Sequence, residues 1–401
     1  MHAVRAPVAF DGGRFLEGGA TVVVDGDRIV GVEAFGCDLP EGCTLASYDG
    51  TVLPGLINAH THLAAEGTLG SLERVGAATD DEIDAWIEQS LLSQVRAGVT
   101  TVRDLGDRHY RTVVARDRAT PGLPRIVAAG PPITTPGGHC HYLGGEASGL
   151  DGIRAAVDER RERGVDVVKV MAAGGMLTQG TDIFGVQFSA DELRAVVEAA
   201  HEADLALLAH AHSLAGIEHA LEAGVDGIEH FTGLAEGGIR VPDEVLARTA
   251  AAGVTVDPTL GFDQAAFDAL PAPPPGVLEA MRRTGMDPPS FNAARREVVG
   301  RMREHGVRVV TGVDDGAIAT KPHGSIALSI RDLVPAGFTM ADALATATSL
   351  AAEVCGLAEV TGSLRAGLAA DVLVVDGDLS GSPDALRAPV LVLARGVSAV
   401  P

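Results

Sequence analysis

Short apolar runs alternate with amphipathic stretches along most of the chain, and that alternation sets the expected fold. The runs fall at residues 56–60, 99–103, 125–129, 165–171, 205–210, 225–230, 254–258 and 307–312. Each is short and rich in Val, Ile, Leu and Ala, as strands buried on both faces of a parallel sheet are. Between them lie stretches with the period of surface helices, at 81–97, 152–163, 189–203, 213–223 and 242–252. Ser189 stands three residues before Glu192, a capping box that starts its helix. Gly98, Gly224, Gly253 and Gly306 each separate a helical stretch from the next apolar run, where a C-cap glycine belongs. Eight such units in succession, without a dinucleotide-binding glycine fingerprint, predict an α/β fold of the (β/α)8 TIM-barrel type.

The two ends of the chain follow a different rhythm. Residues 20–24 lead through Asp25-Gly26-Asp27 into 28–32, and residues 371–375 lead through Asp376-Gly377-Asp378 toward 390–394. Each end is strand-rich but too small for a core of its own, so the two are expected to join as one small β-sandwich domain. The expected boundaries are 1–55 and 358–401 for its two parts and 56–357 for the barrel. Residues 261–290 break the βα alternation. Their run Pro271-Ala272-Pro273-Pro274-Pro275 forbids one continuous helix. Following the seventh strand, they would lie over the face where barrel active sites form, as a lid or as a plain surface insertion.

Composition narrows the class of partner. Apolar residues make up 46% and aromatics 3%, so the core has to be built from aliphatic side chains. A formal net charge of −23 excludes nucleic acid and anionic membrane as partners. Cys37, Cys43, Cys140 and Cys355 form no CxxC pair, which fits a reduced, cytoplasmic protein, with a Cys37–Cys43 bridge left open. The first residues lack the apolar core of a signal peptide, and no stretch reaches membrane-spanning length.

The chemistry gathers at strand ends. His60 and His62, at i and i+2, share one face of the first strand. Alone, such a pair serves a metal or two satisfied polar groups equally well. The fifth strand ends in His210 and His212, the sixth in His230 and the eighth in Asp314 and Asp315, while Lys169 interrupts the apolar fourth strand. Active sites of such barrels form at the carboxyl ends of the strands. Imidazoles and a carboxylate converging there point to a metal.

The motifs LPGLINAHTHL, TTVRDLG (100–106), PGGHC (136–140), VVKVMAAGGM (167–176), FSADELRAVVEAAH (188–201), AHAHS, GIEHF and TGVDDG occur in that order, followed by ALATATSLAAEVCGL (343–357) and TGSLRAGLAADVLVVDGD (361–378). In this collinear set the chain resembles the amidohydrolase superfamily nearly end to end, within its imidazolonepropionase-like and prolidase-like hydrolases. The lysine in KVMAAGG favours the prolidase-like branch, since imidazolonepropionases use one metal and no bridging lysine.

The resemblance implies two divalent metal ions, usually Zn2+. His60, His62 and Asp314 would hold one ion and His210 and His230 the other. Lys169, carboxylated on its ε-nitrogen by CO2, would bridge them together with a hydroxide. Burial favours the neutral amine that reacts with CO2. The metals make hydroxide available near neutral pH. Asp314 would take its proton and pass it to the leaving amine, and His139 would support the oxyanion, with His141 as its alternative. His212 and Asp315 stand next in line for metal or neighbouring roles. Phe231 occupies a position where prolidase-like relatives often carry a tyrosine, so a hydroxyl near the reacting group is missing. Arg103, His323 and Lys321 are candidates for binding a substrate carboxylate. Cys140 beside His139 raises a rival reading, a thiol nucleophile.

The expected activity is therefore hydrolysis of an amide bond in a dipeptide, an N-acyl amino acid or a cyclic amide. Lactone hydrolysis or deamination would use nearly the same ligands. A non-catalytic binding or assembly protein would be expected to lack some of His60, His62, Lys169, His210, His230 and Asp314, and all six are present. The expected partners are a small-molecule substrate and further copies of the chain in a homo-oligomer.

Overall fold

The computed structural model describes residues 1–399. All eight apolar runs form parallel strands: Leu56–Thr61, Val99–Asp104, Arg125–Ala128, Val168–Met171, Leu207–Ser213, Gly227–Ala235, Thr255–Asp257 and Arg308–Val309, numbered here first to eighth. The first three pair in one sheet, in the order third, second, first, and the other five pair in sequence in a second sheet. Backbone hydrogen bonds join the sheets along both edges. Asp166 N donates to Ala128 O and Ile133 N to Lys169 O on one side; Ala59 N donates to Thr311 O and Asp314 N to His60 O on the other. The first two strands are buried throughout. Neither shows the alternation of a strand with one solvated face.

Helices follow the strands with the expected punctuation. Ser189 Oγ accepts from Glu192 N while the Glu192 side chain accepts from Ser189 N, so the box that starts helix Ala190–Glu202 is complete. Thr79 and Glu82 form a second box before helix Asp80–Arg96. Gly98, Gly224, Gly253 and Gly306 all have positive φ, between 69° and 87°, a conformation that side chains with a Cβ resist. Ser189→Ala is expected to cost about 1 kcal/mol of stability by removing one cap. It should lower the denaturation midpoint without changing the slope of the transition; an unchanged midpoint would deny the cap any contribution.

The chain ends build two further sheets. One contains Arg28–Ala34, Ala20–Asp25, His2–Ala6 and Thr44–Ser47 in that spatial order. The other runs from Val397–Ser398 through Pro389–Ala394, Val372–Val375, Thr51–Pro54 and Val8–Phe10 to Phe15–Leu16. N- and C-terminal segments meet in the antiparallel pair Thr51–Pro54 and Val372–Val375, with Leu53 opposite Leu373. Val4, Val22, Ile29, Val52, Val374 and Leu393 belong to an apolar cluster separate from the main core. All four cysteines are free, so Cys37 and Cys43 are not bridged. No helix among the described residues is long and apolar enough to cross a membrane.

The proline-rich segment after the seventh strand is ordered into helices Gln264–Asp268 and Pro275–Thr284, followed by Pro288–Glu304. Pro275 and Pro288 sit in the first turns of their helices, where a missing N–H costs nothing. Phe262, Phe267, Val277, Met281 and Phe291 from this segment line a cavity at the carboxyl ends of the strands. Arg283 pins it across the cavity rim, 2.9 Å from Asp182 and 2.6 Å from Glu236, with its guanidinium over the Phe184 ring.

Candidate metal centre

The end of the first strand delivers two buried imidazoles to the cavity floor. His60 Nδ1 lies 2.7 Å from Glu229 Oε2, which holds a proton on Nδ1 and leaves Nε2 as the free lone pair, 3.5 Å from Asp314 Oδ1. His62 is set the same way. Its Nδ1 faces Gly106 O at 3.2 Å, and its Nε2 is 3.2 Å from the same Asp314 oxygen. Ligand atoms about 2.1 Å from a shared ion in tetrahedral array stand about 3.4 Å apart. The three atoms have the spacing of a ligand set.

A second group stands on the neighbouring strands. Ligand atoms of His210, His212 and His230 lie within 4.8 Å of one another. His212 stacks on His230 with ring centroids 4.3 Å apart, and its Nδ1 is 2.9 Å from Thr232 Oγ1. His230 Nδ1 is oriented by Thr259 Oγ1 at 2.9 Å. Lys169 lines the same cavity, almost wholly buried, and its Nζ has no hydrogen-bond partner. A buried amine without a partner is costly as a cation. Burial accordingly pushes Lys169 below the usual lysine range. Two imidazole-bearing groups and an orphaned amine shifted toward its neutral form, the form that attacks CO2, are a donor set that a two-metal arrangement with a carboxylated lysine would fit.

Strain marks the same positions. His230, Phe231, Thr259, Asp314 and Cys140 all have positive φ although none is glycine. Such conformations cost roughly 1–3 kcal/mol each and persist where the surroundings over-determine them. Close backbone approach matters too: a Cβ on Gly312 would meet Asp257 Oδ2 at 1.8 Å and His60 Cβ at 2.5 Å. Only glycine lets the eighth strand pass that near the first.

Burial dominates the electrostatics of most of these imidazoles and favours their neutral form; at His62 burial is outweighed by the hydrogen bond to Asp314 and by the charges of Asp314 and Asp104, which raise it. Burial lowers His60 to about 4 and His139 to about 3, and drives His210, His212 and His230 well below the usual range. Neutral imidazole is the ligand form. Asp314 behaves oppositely. Burial pushes its carboxyl up, but the hydrogen bond to His62 and the charges of His60 and Lys321 outweigh that and hold it well below the usual carboxylate range. Beneath the ligands, Asp257 is pushed up to about 8 by burial and by the neighbouring charge of Glu229. Burial likewise raises the Cys140 thiol to about 12. Its Sγ lies 3.6 Å from His139 Nε2, yet the thiolate that a nucleophile needs is strongly disfavoured.

His60, His62, His139, Lys169, His210, His230 and Asp314 thus converge on one cavity. His139 is held by Thr178 Oγ1 at 2.8 Å from its Nδ1, with its ring 4.6 Å from that of His210. Of the residues expected to contact substrate, Lys321 lines this cavity, whereas Arg103, His323, Phe231 and His141 are not among its lining. Arg103 turns into the interior, where Nε donates to Ala59 O and Nη2 faces Glu229. His323 is occupied by Ala65 O at 2.8 Å and by Asp315. Phe231 is buried in the main core, and His141 packs on Tyr142; neither lines the cavity. Asp315 accepts from Gln94 at 2.7 Å and from Asn58, turned away from the cavity. Sequence reasoning missed Glu229, Thr259 and Arg295. The first lay inside the quoted GIEHF motif; the other two carried no signal.

The family model described as the amidohydrolase family matches residues 51–398. An uncharacterised protein of Mycobacterium tuberculosis is 30% identical over 361 residues, spanning 86% of this chain and 85% of that protein. Ochratoxinase of Aspergillus niger is 25% identical over 393 residues, covering 88% of this chain and 77% of its own. A solved prolidase complexed with N-methylphosphonate-L-proline superposes with a TM-score of 0.83 at 26% identity, over 99% of this chain and 98% of the other.

Proposed function

The chain belongs to the amidohydrolase family, and on that premise we propose that it is a metal-dependent hydrolase cleaving an amide C–N bond in a dipeptide, an N-acyl amino acid or a cyclic amide. The observation that carries the reading is Lys169, a buried amine without a partner in the cavity that His60, His62, His210, His230 and Asp314 also line. Its carboxylated form would supply anionic oxygens to a pair of divalent ions, zinc being the ion that suits this donor set. The likeness to a prolidase complexed with an N-phosphonate of proline supports an amide carbonyl as the reacting group.

In this reading the two parallel sheets are halves of one closed (β/α)8 barrel spanning 56–357, supported by the hydrogen bonds that join them along both edges. Residues 1–55 and, among the described residues, 358–399 make up a β-sandwich domain, supported by their shared apolar cluster; the last two residues of the expected span 358–401 lie outside the described residues. When bound, the metals supply hydroxide at neutral pH and polarise the scissile carbonyl. His60 and His62 would offer Nε2 as ligand atoms, since Glu229 and Gly106 O hold the opposite nitrogens. Asp314, kept as carboxylate, accepts the proton of the attacking water and returns it to the departing amine. His139, neutral and fixed by Thr178, donates to the carbonyl oxygen as charge develops there. The helices of residues 264–304 close over the substrate and keep water out.

Chelation tests the reading. Exhaustive dialysis against a chelator should abolish amide hydrolysis and added Zn2+ should restore it, while Cys140→Ser keeps full activity. Loss of activity in Cys140→Ser, with chelation having no effect, would transfer the chemistry to the thiol.

A further inference from the structure

Two cations face the cavity without an anionic partner. Arg295, on helix Pro288–Glu304, is 8% exposed, and Lys321, beyond the eighth strand, is 6% exposed; both line the cavity. Their protein partners are neutral oxygens. Lys321 Nζ donates to Thr259 O at 2.7 Å and to Val313 O at 2.8 Å. Arg295 Nη2 donates to Pro258 O, to Thr259 O at 3.0 Å and to Thr259 Oγ1 at 3.3 Å. Neither has a carboxylate within ion-pair distance among the described residues; the acid of the cavity wall, Asp314, is paired with His60 and His62.

Burying two like charges on one carbonyl oxygen is costly, and carbonyl dipoles offset only part of it. Among the described residues, Asp314, the one acid lining the cavity, lies beyond ion-pair distance of both cations and is outnumbered by them. All of Arg295's protein hydrogen bonds leave from Nη2, so Nε and Nη1 remain for a ligand, in the fork that matches a carboxylate. Lys321 has a third N–H to give. The location is also defined. Thr259, which both cations hold, orients His230 at 2.9 Å, so the pair lies one residue from the candidate metal ligands. A carboxylate on the carbon next to a scissile amide nitrogen would sit just that close to the reacting carbonyl. The rest of the wall is largely apolar, with Met176, Leu177, Phe262, Phe267, Val277 and Met281, and offers no counter-charge to an ammonium.

We propose that Arg295 and Lys321 form a carboxylate-binding subsite and that the substrate is an N-acyl amino acid with an uncharged acyl group, not a free dipeptide or a cyclic amide. This rests on the hydrolase reading of the same cavity. The carboxylate belongs to the leaving amine, and the apolar wall receives the acyl side.

The test uses the metal-loaded full chain and matched substrates, so it does not depend on a variant folding. N-acetyl-L-amino acids are compared with their C-terminal carboxamides and with L-alanyl dipeptides of the same leaving residues. The free acids should exceed the carboxamides in kcat/KM by about 100-fold, most of it in KM, because a site built for a charged group is left unpaired by the neutral analogue. The dipeptides, carrying an ammonium, should trail the N-acetyl compounds by tenfold or more. Lys321→Met should remove most of the preference for the acid over the carboxamide. Calorimetric titration of metal-free protein with the same N-acetyl compounds should retain the preference, since the cations rather than the metals read the carboxylate. Hydrolysis of acids and carboxamides at equal efficiency would overturn the subsite and leave the hydrolase reading standing. Dipeptides cleaved as well as N-acetyl compounds would overturn the uncharged acyl group. Failure to cleave any amide in the panel would overturn the hydrolase reading and the subsite with it.

Discussion

Lys169→Ala should reduce bound metal from two ions per chain to one or none and lower kcat/KM by about 10³-fold or more, equivalent to about 4 kcal/mol of transition-state stabilisation. Lys169 Nζ is buried and unpartnered, so removing it takes away no hydrogen bond within the protein. Truncation leaves a small void in a packed strand, which costs stability but does not unfold a chain of this size. The loss is therefore expected in metal content and turnover, not in secondary structure. Elemental analysis after gel filtration, set beside circular dichroism, separates the two effects. Two tightly held ions in the variant would refute the bridging role.

Asp314→Asn is expected to act on a different parameter. Asp314 Oδ1 stands 3.5 Å from His60 Nε2 and 3.2 Å from His62 Nε2, so an amide of the same shape still fills the position. What the amide lacks is the capacity to take up a proton. General acid–base groups contribute about 10²–10⁴-fold, and kcat should fall by about 10³-fold with KM changed far less. The pH dependence has a definite sign. Neighbouring His62, His60 and Lys321 outweigh burial and hold the Asp314 carboxyl well below its usual range, so it stays ionised from mildly acidic pH upward. Activity of the parent enzyme should not decline through protonation of Asp314 until the pH falls well below the ordinary carboxylate range. Steady-state kinetics of parent and variant from pH 5 to 9 check both statements; a variant with unchanged kcat would remove Asp314 from the proton transfers.

The βα rhythm was legible because each strand is buried on both faces and each helix on one, so burial writes itself directly into composition. The histidines were legible for a related reason: polar residues that end apolar runs stand out. Depth and direction were not legible. Arg103 ends the second strand as His60 and His62 end the first, yet it is buried and turned toward Glu229. Strict alternation would also send Glu229 and His230 to opposite faces. His230 leaves the regular strand geometry with φ 72°, and the two neighbours reach His60 and the cavity from one strand end. Arg295 could not be found at all from the sequence. It sits on a helix well removed from the strand it serves, among other basic residues, and nothing in the local pattern distinguishes it from a solvated one.

The pairing of Thr51–Pro54 with Val372–Val375 also constrains how the chain is made. Thr51–Pro54 leads straight into the strand that bears His60, but the segment that pairs with it is translated more than 300 residues later. Until then an apolar edge stands open beside the growing parallel sheets, the kind of edge that recruits other chains. Chains cut short before Val372 would therefore be aggregation-prone rather than merely shortened, and chaperone demand should concentrate on the interval between synthesis of the two partners.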